Sequence, residues 1–181
     1  DVYKRQTLSW VFIALFGSIP FIFSNLKLSF TNAFFESMSG ITTTGSTIIS
    51  GLDNLPHGIL LWRALLQWIG GIGIIVIAIA ILPILKIGGM QLFHTEASDS
   101  ETSEKVLPRA AQIASAIGAI YFALTLICAF LLWYFGMSIF DAINHSMTTI
   151  ATGGFSTSDQ SIAKFNNINI EIVISIFMIL G

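Results

Sequence analysis

Residues 41–48 read ITTTGSTI, a run of small hydroxyl residues around one glycine. Consecutive threonines lose χ1 freedom in a helix and glycine loses backbone entropy, so the stretch is poor helix. The surrounding chain is greasy: of 181 residues, 54% are hydrophobic and 10% charged, with mean hydropathy +0.82. An ordinary soluble domain carries about 25% charged residues. This is the composition of a polytopic membrane protein. Lipid does not tolerate backbone that lacks hydrogen bonds, so residues 41–48 must lie in water or line something.

A membrane-crossing helix needs ~20 apolar residues. Four segments meet or approach this: 7–24, 58–85, 111–135 and 168–181. Between them, FTNAFFESMSGI at 30–41 and SIFDAINHSMTTI at 138–150 are too short to cross and read as re-entrant or interfacial helices. The polar stretch 86–110 holds Lys86, Lys105 and Arg109, whereas the segments around the short helices carry one lysine each, Lys27 and Lys164. The positive-inside rule predicts that 86–110 is a cytoplasmic loop and that both short helices enter from the outer side. The leading DVYKRQ matches the translation of a common sequencing adaptor, so residues 1–6 are expected to be a non-native artefact and contribute no charges to that count. The chain starts without methionine and ends inside an apolar run, and we expect it to be a fragment of a longer protein.

Sliding the chain by 109 residues lays Ala33, Ser37, Met38, Ile41, Thr43 and Gly45 on Ala142, Ser146, Met147, Ile150, Thr152 and Gly154. An internal repeat of this kind decides the architecture. The predicted fold class is an all-α polytopic membrane protein: tandem units of helix, short helix and helix in parallel orientation, one over 7–85 and a truncated second over 111–181.

A short helix ending at a Thr/Gly segment brings the negative end of its dipole, with its terminal carbonyls, to mid-membrane. Glycine permits the φ > 0 turns that aim successive carbonyls inward, and non-helical backbone is tolerated where it lines a water-filled cavity. The expected product is a cation site. Glu36 and Arg63 are ionisable groups in apolar surroundings: either they pair and brace that site, or each simply reaches the outer interface. On the first of these readings, reversing both charges together preserves function that either single reversal abolishes.

The stretch NAFFESMSGITTTGSTIISGLDNLPHGILLWRALLQWIGGIGIIVIAIAILPILKIGGMQL, together with HSMTTIATGGFST, resembles the membrane subunit of the Trk potassium uptake system, in the Trk/Ktr/HKT superfamily. The similarity runs from about residue 8 to the end. It implies a K⁺-channel-like fold of four helix–pore helix–helix repeats around one pore, of which this chain holds the first and most of the second. It further implies that Gly45 and Gly154 are filter glycines and that Thr43, Thr44, Thr152 and Gly153 offer backbone carbonyls to a dehydrated K⁺, flanked by Thr42 and Ala151 as support with Glu36 and Arg63. The implied setting is a multi-pass protein of the bacterial inner membrane, a homodimer when full-length, with a cytosolic nucleotide-binding regulatory subunit. K⁺ is cargo, and no cofactor or enzymatic step is implied.

Other readings are weaker. An intramembrane serine hydrolase would need Ser37 or Ser146 to meet His145, yet sequence neighbours on a helix point to different faces. Gly70, Gly71 and Gly73 in QWIGGIGII follow no strand, so they read as close helix packing and not as a nucleotide loop. Cys128 lies in an apolar run and reads as a lipid-facing or packed core thiol. His57 and His94 have no metal-ligand spacing. Asp99, Glu101 and Glu104 read as a solvated acidic run. With net charge −2 and no basic stripe, no nucleic-acid partner is indicated.

Overall fold

A computed structural model describes residues 2–81 and 102–181. Among them the secondary structure is helical throughout, with α1 (Val2–Phe23), α2 (Phe30–Ile41), α3 (His57–Ile81), α4 (Thr102–Tyr134), α5 (Ile139–Ile150) and α6 (Ile168–Leu180). Short 3-10 turns at Leu52–Asn54 and Ser161–Phe165 interrupt the loops before α3 and α6. Most of the segment 86–110, with His94, Asp99 and Glu101, lies outside the described residues.

The two short helices fall where the apolar pattern placed them, and their starts share a cause. Ser29 caps α2 by accepting the Asn32 N–H at 3.2 Å, and Ser138 caps α5 by accepting the Asp141 N–H at 3.0 Å. A serine at this position satisfies one of the orphan donors of the first turn. Ser29 and Ser138 are themselves 109 residues apart, so the internal repeat begins one residue before each short helix.

One boundary differs from expectation. Helix α4 begins at Thr102, inside the segment read as a loop, because Glu104, Lys105, Leu107, Arg109, Ala110 and Ala111 are all good helix formers. Polarity alone does not stop a helix.

Helices α1 and α2 form one packed pair and α4 and α5 another; α3 lies against both short helices, while α6 closes on α4 and α5. Each half has its own apolar core. Ala14, Phe21, Ala33, Ile41 and Leu66 build the first, and Cys128, Leu132, Ile150, Ile170 and Phe177 belong to the second. Ile41 and Ile150, equivalent in the repeat, end the short helices as buried plugs. The outer surface is apolar instead of charged: Phe16, Phe23, Ile120, Phe130 and Ile179 are each more than half exposed. A surface of that kind needs an apolar solvent or a partner. By length and composition, Gln112–Tyr134 is long enough to cross a membrane, while Thr7–Phe23 and Ile168–Leu180 are shorter apolar helices.

Candidate ion-filter site

Both short helices end in the same backbone motif. After α2 the Thr43 N–H bonds the Gly40 carbonyl at 2.9 Å and the Thr44 N–H bonds the Ser39 carbonyl at 3.0 Å. After α5 the Thr152 N–H bonds Thr149 and the Gly153 N–H bonds Thr148, each at 2.9 Å. This is a Schellman cap, which needs a residue in the left-handed region and normally takes glycine. Here the position is threonine in both copies, Thr43 at φ 55° and Thr152 at φ 51°. A β-branched residue there costs roughly 1–2 kcal/mol, a strain that the surroundings must hold in place. The Thr42 hydroxyl helps by donating to the Met38 carbonyl at 2.7 Å while lying 2.8 Å from the Thr44 hydroxyl.

These caps correct the picture in which the helix's own terminal carbonyls face a cation. The carbonyls of Met38, Ser39 and Gly40 are already taken, and that of Ile41 is pressed against Gly70, where a Cβ would overlap it. In the second copy the Ile150 carbonyl is pressed against Gly181 in the same way. The available oxygens belong to the residues that follow. Among the described residues, the backbone carbonyls of Thr43, Thr44, Gly45, Thr152, Gly153 and Gly154 accept no hydrogen bond.

The two segments meet. Gly45, at φ 76°, lies so close to the Gly153 carbonyl that a Cβ on residue 45 would overlap the oxygen. Gly154 matches it at φ 80°. Any L-residue at 45 would thus be strained by its backbone and blocked by the neighbouring repeat.

Behind the segments lies a buried polar frame. Glu36 and Arg63 are 0% and 1% exposed and form an ion pair of 2.8 Å through Arg63 Nε. Glu36 also accepts from the Thr47 hydroxyl at 2.8 Å and from the Ile48 N–H at 3.1 Å. Arg63 Nη2 donates to Thr47, while Nη1 crosses to the other repeat and donates to the Ser156 carbonyl at 3.1 Å. Its guanidinium lies 4.2 Å from the centre of the Phe155 ring. Every charge in this buried pair therefore has additional partners, which is the condition for such a pair to be tolerated.

The second repeat solves the same problem with other residues. His145 stands where Glu36 stands in the first, and its Nε2 lies 3.3 Å from the Thr157 hydroxyl, which donates to Asp141 at 2.6 Å. The serines of the hydrolase reading are not brought to this histidine. The Ser146 hydroxyl donates to the Ile143 carbonyl of its own helix, and Ser37 Oγ packs against Gly17 of α1.

A second set of contacts joins the repeats in the loops that follow the two Thr/Gly segments. Asp159 accepts the N–H groups of Gly51, at 2.9 Å, and Leu52, at 3.2 Å. Asp53 answers by accepting from Ser158 Oγ at 3.0 Å and the Asp159 N–H at 3.3 Å, and it pairs with Lys164 at 2.9 Å. Lys164, followed by Ser158, holds the Asp53 carboxyl below its ordinary 3.8, and Asp53 in turn raises Lys164 above 10.5. Gln67, Asp53 and Asp159 escaped the sequence reading. Thr47 and Ser156 carried a signal there, since they stand 109 residues apart and are near matches in the repeat.

Comparison with known proteins agrees with this architecture. The sequence matches the TrkH cation transport protein family over residues 3–181. It is 52% identical over 175 residues to the Trk system potassium uptake protein TrkH of Escherichia coli (strain K12), covering 96% of this chain and 36% of that protein. It is 49% identical over 182 residues to the protein of the same name from Vibrio parahaemolyticus, covering 100% and 38%. The fold superposes on the crystal structure of the potassium transporter TrkH from Vibrio parahaemolyticus with a TM-score of 0.85 and 45% identity, over 99% of this chain and 35% of that one. The chain thus spans little more than a third of the length of these relatives. A match over nearly every residue, with the paired short helices superposed, shows that the chain belongs to the TrkH family of cation transport proteins.

Proposed function

We propose that this chain forms two quadrants of a K⁺ filter in the membrane subunit of a Trk-type potassium uptake system. One observation carries the reading: two equivalent segments, each with uncommitted carbonyls and a φ > 0 glycine, lie side by side with the Gly153 oxygen against Gly45. Carbonyl oxygens that accept nothing from the protein can replace the water shed by a cation. The segments follow the C-terminal ends of α2 and α5, whose dipoles add negative potential there.

Thr43, Thr44, Thr152 and Gly153 supply the oxygens; Gly45 and Gly154 allow the turn; Thr42, Ala151, Glu36 and Arg63 hold it. The remaining quadrants come from the rest of a longer protein. The short helices enter from the outer side of the bacterial inner membrane, with residues 86–110 in the cytoplasm. The full-length subunit is a homodimer regulated by a cytosolic nucleotide-binding partner, its apolar surface is covered by lipid, and it carries out no chemistry on its cargo.

The test is Rb⁺ uptake by the full-length protein in cells lacking other K⁺ uptake. Gly45→Val and Gly154→Val are expected to abolish uptake while the protein still reaches the membrane. Wild-type uptake by both variants would overturn the proposal.

A further inference from the structure

Position 44 is threonine in the first repeat, and its equivalent, position 153, is glycine in the second. Both residues donate their N–H to the same place in the cap, so the cap does not explain the difference. Gln67 does. This α3 side chain is fully buried, and its amide occupies the space where a Cβ on residue 153 would stand, overlapping Cδ and crowding both Oε1 and Nε2. Its Oε1 accepts the Phe155 N–H at 3.1 Å, two residues past Gly153. Its Nε2 is buried with no hydrogen-bond partner among the described residues and lies 3.7 Å from where a Cβ on Gly45 would be. One amide of the first repeat thus packs against the segment of the second and stands near Gly45 of its own.

We infer that Gln67 is a specificity-determining positioning residue, one that fixes the Gly153 peptide against Gly45 and makes glycine obligatory at 153. The inference rests on the filter reading above and deepens it. A hydrogen bond on the 155 side and a packed amide on the 153 side leave the intervening backbone little freedom. The spacing between the two repeats' carbonyls, on which discrimination between K⁺ and Na⁺ depends, is set by that restraint. Gln67 contacts no ion. It acts through the peptide it holds.

In the full-length protein, Gln67→Met keeps the bulk and removes the acceptor. The expected result is retained Rb⁺ uptake with a preference for K⁺ over Na⁺ reduced on the order of fivefold, the worth of one net hydrogen bond. Gly153→Ala is expected to lose uptake, and adding Gln67→Ala, which vacates the amide's space, is expected to restore part of it. A Gln67→Met protein with the wild-type K⁺/Na⁺ ratio would overturn the inference; should that variant fail to assemble, absence of rescue in the 67/153 pair would do so. Gly45→Val and Gly154→Val in the same assay separate the two levels. If they transport normally the filter reading itself falls, and if they fail while Gln67 variants behave as wild type only the role of Gln67 falls.

Discussion

Arg63 is the residue on which most of the buried polar frame converges. Its three nitrogens reach a carboxylate on α2, the Thr47 hydroxyl just past the first Thr/Gly segment and the Ser156 carbonyl just past the second. Removing one partner of a buried ion pair leaves the other charge uncompensated, at a cost of about 3–5 kcal/mol. Glu36→Gln and Arg63→Gln are therefore each expected to lower the melting temperature of the full-length protein in detergent and to reduce transport. Arg63→Lys is expected to fail almost as badly, because an ammonium lacks the planar fork that serves several acceptors at once. The structure changes what double reversal should do. Glutamate at 63 would face the Ser156 carbonyl, and arginine at 36 would face the Ile48 N–H, so the ion pair returns while two other contacts become repulsive. Rescue should be partial at best, and full recovery of stability would show that the bonds to Ser156 and Ile48 contribute little. The sequence offered the Glu36–Arg63 pair as one of two readings, since a lone charge in an apolar run needs a partner or the interface, and the 2.8 Å contact decides for the pair. The reach to Ser156 was not: it joins residues 93 positions apart, and no local pattern encodes it.

The helices show which local signals suffice. The ends of α2 and α5 were legible because an apolar pattern stops at Thr/Gly, and the repeat confirmed the stop. The start of α4 was not, because helix formers continue beyond the apolar run. Nor did the glycines of α3 reveal which of them matter. The run Gly70, Gly71, Gly73 reads as one packing motif, yet the contacts differ. A Cβ at 70 would overlap the Ile41 carbonyl, and one at 71 would stand 2.5 Å from the Tyr121 hydroxyl, whereas among the described residues one at 73 would meet only the Trp10 ring at an ordinary 3.7 Å. Gly70→Ala pushes α3 away from the end of α2, and overpacking of this kind costs about 1–3 kcal/mol. Gly73→Ala places a better helix former without a clash, a gain of up to ~1 kcal/mol. Thermal melts of the two variants in detergent are expected to move in opposite directions. Equal shifts would mean that the glycine run acts through helix propensity and not through the approach to Ile41.

At the scale of the whole molecule, the question is what keeps two repeats in register when each has its own core. Part of the answer is buried, in Arg63 and Gln67, and part lies in the exchange between loops, where Asp159 holds Gly51 and Leu52 while Asp53 holds Ser158, Asp159 and Lys164. The two parts should respond differently to solution conditions. The Asp53–Lys164 pair is about two-fifths exposed on each side, so it is weak and screened by salt. Its titration has a definite sign. The Asp53 pKa is lowered on folding, so its contribution is complete above 3.8 and is lost as pH falls through the lowered value. The Lys164 pKa is raised, so its contribution is complete below 10.5 and is lost as pH rises through the raised value. Between those limits the charge state of this pair is constant. Hydrogen exchange of a peptide covering residues 50–56, corrected for the intrinsic rate, is thus expected to show even protection from weakly acidic to weakly alkaline pH and a loss in stronger acid. Asp159→Ala should remove protection at Gly51 and Leu52 at every pH, because it deletes their acceptor. Lys164→Ala should produce a smaller effect, one that 1 M salt reproduces in the wild type. If Asp159→Ala leaves exchange unchanged, the loops are held by the buried contacts alone, among them those of Arg63 and Gln67 of α3 and the packing of Phe140 against Ile49, Leu52 and Leu60.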